Sequence, residues 1–255
     1  MASILYGPVS SWRLGRSLGV DILSTRAKLC SFDCIYCQLG ATARAFTRRR
    51  EFVSLDALTR ELESLGEIAI DYATFSGIGE PTLASNLGAA IEIVKSALHV
   101  PVAVLTNASL MPRDDVRREL AQADVVVAKV DAPDETLFHK INRPMIRYSL
   151  AQIVAAISLF RSEYRGRLAL QMMFVDANKG AAFEMAQIAE SLSPDEVQIN
   201  TPLRPCPVKP LPPEEIESIR CQFSRLRNVI TVYGASRPQV TPLNLEETLR
   251  RRPRL

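Results

Sequence analysis

The 255-residue sequence is poor in histidine: only His99 and His139 are present, far from each other and from the cysteines. It has no apolar run of membrane-spanning length, so a transmembrane helix and a membrane partner are not expected. Residues 1–20 contain Pro8, Trp12, Arg13 and Arg16 and no continuous apolar stretch. They do not read as a secretory signal, and a cytoplasmic location is the expectation. Charge of one sign is also lacking. The net charge is +3, from 31 basic and 28 acidic side chains, too little to argue for nucleic-acid binding by itself. There is no internal repeat and no low-complexity segment. The five cysteines are an odd number, which argues against a disulfide framework.

What is present is ordinary globular material, with 47% hydrophobic and 23% charged residues. It suffices for one large domain or two small ones. Of the basic residues 25 are arginine, the side chain suited to carboxylate and phosphate recognition. The runs Arg48-Arg49-Arg50 and Arg250-Arg251-Arg252 are expected as solvated surface.

Short apolar, often β-branched stretches predict strands over 18–23, 71–76, 102–105, 124–130, 168–175 and 196–200. The run Val125-Val126-Val127 reads as a strand buried on both faces. Amphipathic helices are predicted over 54–65, 87–98, 113–122, 150–164 and 179–191, the first opening on a Ser54 cap. Such alternation implies parallel strands joined by crossover helices. The pattern alone allows a partial (β/α)6 barrel or a doubly wound open sheet. From Thr201 the chain is proline-rich, then offers a helix over 214–226, a strand over 229–233 and a basic tail. Residues 1–205 are expected to form the barrel, and 206–255 an extension packed on it.

Three cysteines fall within eight residues, Cys30-Ser31-Phe32-Asp33-Cys34-Ile35-Tyr36-Cys37. Such spacing points to one loop around a metal centre. A closed zinc site needs a fourth ligand, and Cys206 or Cys221 can supply it only through the fold. A four-iron four-sulfur (4Fe–4S) cube held by three thiolates keeps one iron open for an exogenous ligand. An open position marks chemistry rather than scaffolding.

The three-then-two spacing, with Tyr36 before the last cysteine, resembles the signature of the radical S-adenosylmethionine superfamily. The resemblance implies a partial (β/α)6 barrel, with Cys30, Cys34 and Cys37 holding a 4Fe–4S cluster whose open iron is chelated by S-adenosylmethionine. It also implies cleavage of that cofactor by one electron, from a flavodoxin- or ferredoxin-type donor. The resulting 5′-deoxyadenosyl radical would take hydrogen from a substrate. Functional residues of parallel barrels gather at the C-terminal ends of strands. Ser76-Gly77-Ile78-Gly79-Glu80-Pro81 resembles the superfamily's glycine–glycine–glutamate motif, with Ile78 separating the glycines, and implies that Glu80 receives the cofactor's amino group. By the same resemblance Tyr36, Gly77, Gly79, Pro81, Thr106, Asn107, Asp131 and Asn200 are candidates for shaping the cofactor site. Arg13, Lys129, Arg143, Arg204 and Cys206 are candidates for substrate contact. For these the alternative readings are turns, ion pairs and an inert thiol.

Longer stretches, among them Tyr6–Ser10, Arg13–Asp21, Cys34–Gly40, Thr74–Leu83 and Ile141–Pro144, resemble the iron–sulfur oxidoreductases grouped with wyosine-base synthetases. Those synthetases modify transfer RNA. This sequence has no cysteine before Cys30 for the archaeal second cluster, so the fold, cluster and cofactor carry over but the transfer-RNA substrate does not. The expected reaction is therefore on a small molecule or peptide. A base-modifying enzyme and a non-catalytic metal scaffold are the alternatives.

Overall fold

The computed structural model describes residues 3–42, 46 and 48–253; the last two residues of the basic tail lie outside them. Among the described residues no helix is long and apolar enough to cross a membrane.

The chain opens with an antiparallel hairpin, β1 (Leu5–Ser11) and β2 (Gly15–Val20). Then follow α1 (Leu55–Glu63), β3 (Tyr72–Phe75), α2 (Leu87–Leu98), β4 (Val102–Thr106), α3 (Asp114–Leu120) and β5 (Val125–Lys129). Two helices, α4 (Glu135–Asn142) and α5 (Leu150–Glu163), precede β6 (Arg167–Met173). The chain continues through α6 (Ala182–Leu192), β7 (Glu196–Asn200), α7 (Pro213–Gln222), β8 (Val229–Thr231) and α8 (Leu245–Arg251). The strands form one sheet in sequence order, β1 to β8, and every pair from β2 to β8 is parallel.

That order decides between the two architectures left open above. A doubly wound sheet must reverse its strand order at a switch point. Here none occurs, so crossovers of one hand put their helices on one face and the sheet curls into a partial barrel. Strand β5 shows both faces. Val126 packs into the large core under the helices. Val125 and Val127 point the other way, into a small inner cluster with Ala103, Ala169 and Leu14, as the two-residue period of a strand requires. Leu14, from the turn between β1 and β2, plugs that inner face.

Local sequence accounts for most boundaries. Ser54 caps α1 through the Ala57 amide, and Ser149 with Gln152 makes a reciprocal capping box on α5. Three elements escaped the sequence pattern. Strand β1 carries Gly7 and Pro8, residues depleted in strands, and its pairing is irregular between Tyr6 and Val9. Helix α4 is only eight residues long, capped by Asp134 on the Leu137 amide. Helix α8 forms where only a basic tail was expected. Asn244 caps it, with Glu246 and Glu247 in its first turn and Arg250 and Arg251 in its last. The first expected strand also ends early. The Asp21 carboxylate accepts from the Leu23 and Ser24 amides at 3.3 and 3.1 Å and turns the chain out of the sheet.

The two arginine runs are not simply solvated, and each buries its middle residue. Arg49 is 6% exposed at its side chain and pairs with Asp115 at 2.7 Å and with Glu119. It also donates to Thr82 O and Ala84 O. Arg251 is fully buried and pairs with Asp21 at 2.7 Å and Glu247 at 2.5 Å. Sequence clustering of charge reports net repulsion along the chain. It carries no information on carboxylates brought up from distant segments.

Candidate active site

The cysteine loop is fastened backbone to backbone. Leu29 N donates to Ile78 O at 3.1 Å and Glu80 N donates to Leu29 O at 3.0 Å. A Cβ on Gly79 would lie 1.6 Å from the Leu29 carbonyl oxygen, so only glycine permits this approach. Gly77 is pressed against Asp21 in the same way. On the loop's other side, Asp33 N donates to Asn142 O at 3.0 Å and Ile35 N to Ile141 O at 2.9 Å. The loop is thereby held between the turn after β3 and the end of α4.

All five cysteines are free thiols, with Cys30, Cys34, Cys37 and Cys206 half-buried and Cys221 exposed. Asn107 Nδ2 lies 3.5 Å from Cys30 Sγ, and Asn142 Nδ2 lies 3.4 Å from Cys34 Sγ. Burial, with the neighbouring Cys34 and Glu80, pushes the Cys30 thiol up to about 12. Burial also raises Cys34. Thiolates in such a place require a metal to offset their desolvation, and amide donors on the sulfurs suit thiolates carrying cluster charge. Three thiols on one loop are the donor set that a 4Fe–4S cube takes, each thiolate on a separate iron.

Behind the loop stands Glu80, 2% exposed. Its Oε1 accepts from Thr82 N at 3.1 Å, Thr82 Oγ1 at 2.7 Å and Thr106 Oγ1 at 2.7 Å. Its Oε2 accepts from Asn107 N at 2.7 Å. Burial raises this carboxyl and the four hydrogen bonds oppose the rise. Glu80 therefore ties the turns after β3 and β4 together and sets Asn107 beside Cys30. Pro81 opens a buried 3-10 turn, Pro81–Leu83.

A second polar hub lies after β5. Buried Asp131 accepts from the Tyr36 hydroxyl, from Asn142 Nδ2 at 2.8 Å and from Met173 N at 2.8 Å. Lys129 Nζ is 3.7 Å from Asp131 Oδ2 and 4.6 Å from the centre of the Tyr36 ring. Burial, with Asp131, raises the Tyr36 phenol well above its ordinary value, so the hydroxyl stays a donor.

These groups open onto a cavity of about 280 Å³ at the strand ends, lined by Tyr36, Cys37, Lys129, Met173 and Asn200 and walled by Arg13 and Arg204. Arg13, Lys129, Asn200, Arg204, Tyr36 and Cys37 are thus brought together. Cys30, Cys34, Glu80, Thr106, Asn107 and Asp131 are not part of its lining. Arg143 and Cys206 lie outside it. Arg143 ends α4 in the left-handed region, 3.8 Å from Asp33. Cys206 donates to Val208 O and packs by Tyr36 and Ile141. Sequence reasoning marked Asn142 through the segment Asn142-Arg143-Pro144, expected to line the site or grip substrate, and its side chain touches Cys34, Tyr36 and Asp131. Its only signal was its place in the stretch Ile141–Pro144. Arg237, also in the cavity wall, gave no signal, and Arg252, expected as solvated surface, lines that wall too.

Known proteins resemble this chain in sequence or in fold. A UPF0026 protein of Methanocaldococcus jannaschii is 38% identical over 224 residues, 85% of this chain and 69% of that protein. A structure of TYW1 with a lysine–pyruvate adduct bound has the same fold, with a TM-score of 0.61 at 15% identity over 82% of this chain and 73% of that one. So has SuiB of Streptococcus suis bound to S-adenosylmethionine, with a TM-score of 0.62 at 15% identity over 80% of this chain and 48% of that one. The family model of the radical SAM superfamily matches residues 26–179, from just ahead of the cysteine loop to the turn after β6. The chain belongs to the radical SAM superfamily, whose enzymes use a 4Fe–4S cluster and S-adenosylmethionine.

Proposed function

We propose that this enzyme abstracts hydrogen from a small-molecule or peptide substrate in the cavity at the strand ends, with Cys30, Cys34 and Cys37 as the cluster ligands. The observation that carries the reading is that Cys37 and Tyr36 line the same cavity as the strand-end residues Lys129, Met173 and Asn200. When bound, the reduced cluster supplies one-electron cleavage of S-adenosylmethionine. The chain's own residues do the rest. Gly79 lets the loop dock on the turn after β3, and Asn107 and Asn142 donate toward the sulfurs. Glu80 holds Asn107 in place. Asp131 fixes Tyr36 and Asn142, which keeps the loop's last turn rigid against α4 and β6. The enclosing arginines and Met173 limit solvent at the reacting position. A flavodoxin- or ferredoxin-type protein is the proposed reductant.

The test is anaerobic reconstitution with iron and sulfide, followed by dithionite and S-adenosylmethionine. The expected result is 5′-deoxyadenosine that depends on reductant and disappears in Cys34→Ala. A full iron load with no product in the presence or absence of cell-extract metabolites would remove the reading. Stoichiometric zinc without iron would replace it with a scaffold.

A further inference from the structure

We propose that the cavity grips its substrate by an anionic group, a phosphate or a carboxylate, held by Arg13, Arg204 and Arg252. The inference deepens the function proposed above, and rests on it for calling the bound anion part of a substrate.

The charge around the cavity is of one sign. Its charged lining residues are Arg13, Lys129, Arg204, Arg237 and Arg252, with no aspartate or glutamate among them. Lys129 has Asp131 beside it. The three arginines come from three separate segments: the turn between β1 and β2, the stretch after β7, and the residue after α8. Among the described residues none of them makes a salt bridge. Arg13 Nε and Nη1 are buried without a hydrogen-bond partner. Arg204 gives only Nε, to Pro253 O at 3.1 Å. Arg252 gives Nη1 to Arg251 O at 3.0 Å and lies over the Tyr6 ring.

A half-buried cation without a counterion is costly, and several together add mutual repulsion. Burial first, then Arg252 and Arg204, pushes Arg13 down to about 9. Burial, then Arg252 and Arg237, pushes Arg204 down to about 10. The carboxylate acting on Arg13, Glu196, is engaged elsewhere, with Arg167 at 3.4 Å and Gln198 Nε2 at 2.7 Å. An anion entering the cavity would relieve both costs. The guanidinium fork suits bidentate contact with phosphate or carboxylate. A cavity of about 280 Å³ is of small-molecule size, not a polynucleotide groove.

The experiment is calorimetric titration of the full chain with inorganic pyrophosphate and with citrate at low salt, which separates phosphate from carboxylate preference. Arg13→Gln, Arg204→Gln and, away from the cavity, Arg161→Gln are compared, with circular dichroism to check folding. Arg13→Lys keeps the charge and removes the fork. Saturable binding by one of the anions, weakened tenfold or more in Arg13→Gln and Arg204→Gln and unchanged in Arg161→Gln, supports the proposal. Absence of saturable binding, or equal affinity in all variants, overturns it. Equal loss of S-adenosylmethionine binding in the two cavity variants also overturns it, because the arginines would then serve the cofactor's own carboxylate. Tight transfer-RNA binding abolished by the same changes overturns the small-molecule form. Formation of 5′-deoxyadenosine is read separately. Cleavage without anion binding removes this inference alone, and anion binding without cleavage removes only the reaction proposed above.

Discussion

The molecule takes arginine out of solvent in two different ways, two side chains closed off and two half-buried. Arg49 and Arg251 are closed off from solvent with carboxylates in place: Asp115 and Glu119 for one, Asp21 and Glu247 for the other. Arg251 also donates to Ser3 O, so it clamps the last helix to the first described residue and to the turn behind Gly77. Arg13 and Arg204, in the cavity wall, form no ion pair with a carboxylate among the described residues, and no aspartate or glutamate lines the cavity beside them. A guanidinium that holds a fold together brings its counterion with it, because removing it from water unpaired costs more than packing returns. A guanidinium left without one keeps its binding capacity for something that arrives later. The same residue type therefore separates structure from function by its company.

Four measurements can break or sharpen that contrast. The largest effect is expected for Arg251→Met, which leaves Asp21, 2% exposed, as a buried charge without its partner. Urea unfolding should show a loss of about 3–5 kcal/mol. A loss below about 1 kcal/mol would mean that the clasp is ornamental. Arg49→Met removes donors to two carboxylates and two backbone carbonyls, with Glu119 and Asp115 still reached by water. The expected loss is about 2 kcal/mol, from hydrogen bonds to charged groups. Arg13→Gln should behave in the opposite sense. Relieving an uncompensated cation should leave stability unchanged or raise it by up to about 1 kcal/mol, and a clear loss in urea would place Arg13 with the structural arginines.

The smallest effect concerns pH. Arg113, more than Arg49, holds the Asp115 carboxyl well below its ordinary value, against the opposing effect of burial. A carboxyl with a depressed folded-state value contributes stability above its unfolded pKa of about 3.9 and loses it as pH falls. Wild-type stability should therefore fall below about pH 4, and the Arg113→Gln variant should show a shallower slope there. Parallel slopes would show that the pair at Asp115 is too well solvated to matter.

Much of this protein could be read along the chain. The alternation of strand and helix, the three-cysteine loop and the Gly77–Pro81 turn are local features, set by side-chain periodicity and by spacing within about ten residues. Those features specified parallel strands joined by crossover helices and a candidate place for a cluster, and the strand order in the sheet decided for the partial barrel. Short or irregular elements were not readable. β1 pairs in spite of Gly7 and Pro8 because β2 lies alongside it. α4 and α8 are too short to show a periodic face, and α8 is held by Arg251 on Asp21 across 230 positions of sequence.

The candidate site divides in the same way. Sequence alone determined the cluster-ligand candidates and the turns around them, because backbone docking at Gly79 and thiol spacing are dictated within short segments. Only the tertiary structure decided that Asn107 and Asn142 face the sulfurs, that Asp131 is a buried acceptor for Tyr36, and that Arg143 and Cys206 lie outside the cavity. Only the fold could distinguish the paired arginines from the unpaired ones. Charge compensation depends on the distance between side chains in space, and Arg13, Arg204 and Arg252 are brought to one cavity from opposite ends of the chain.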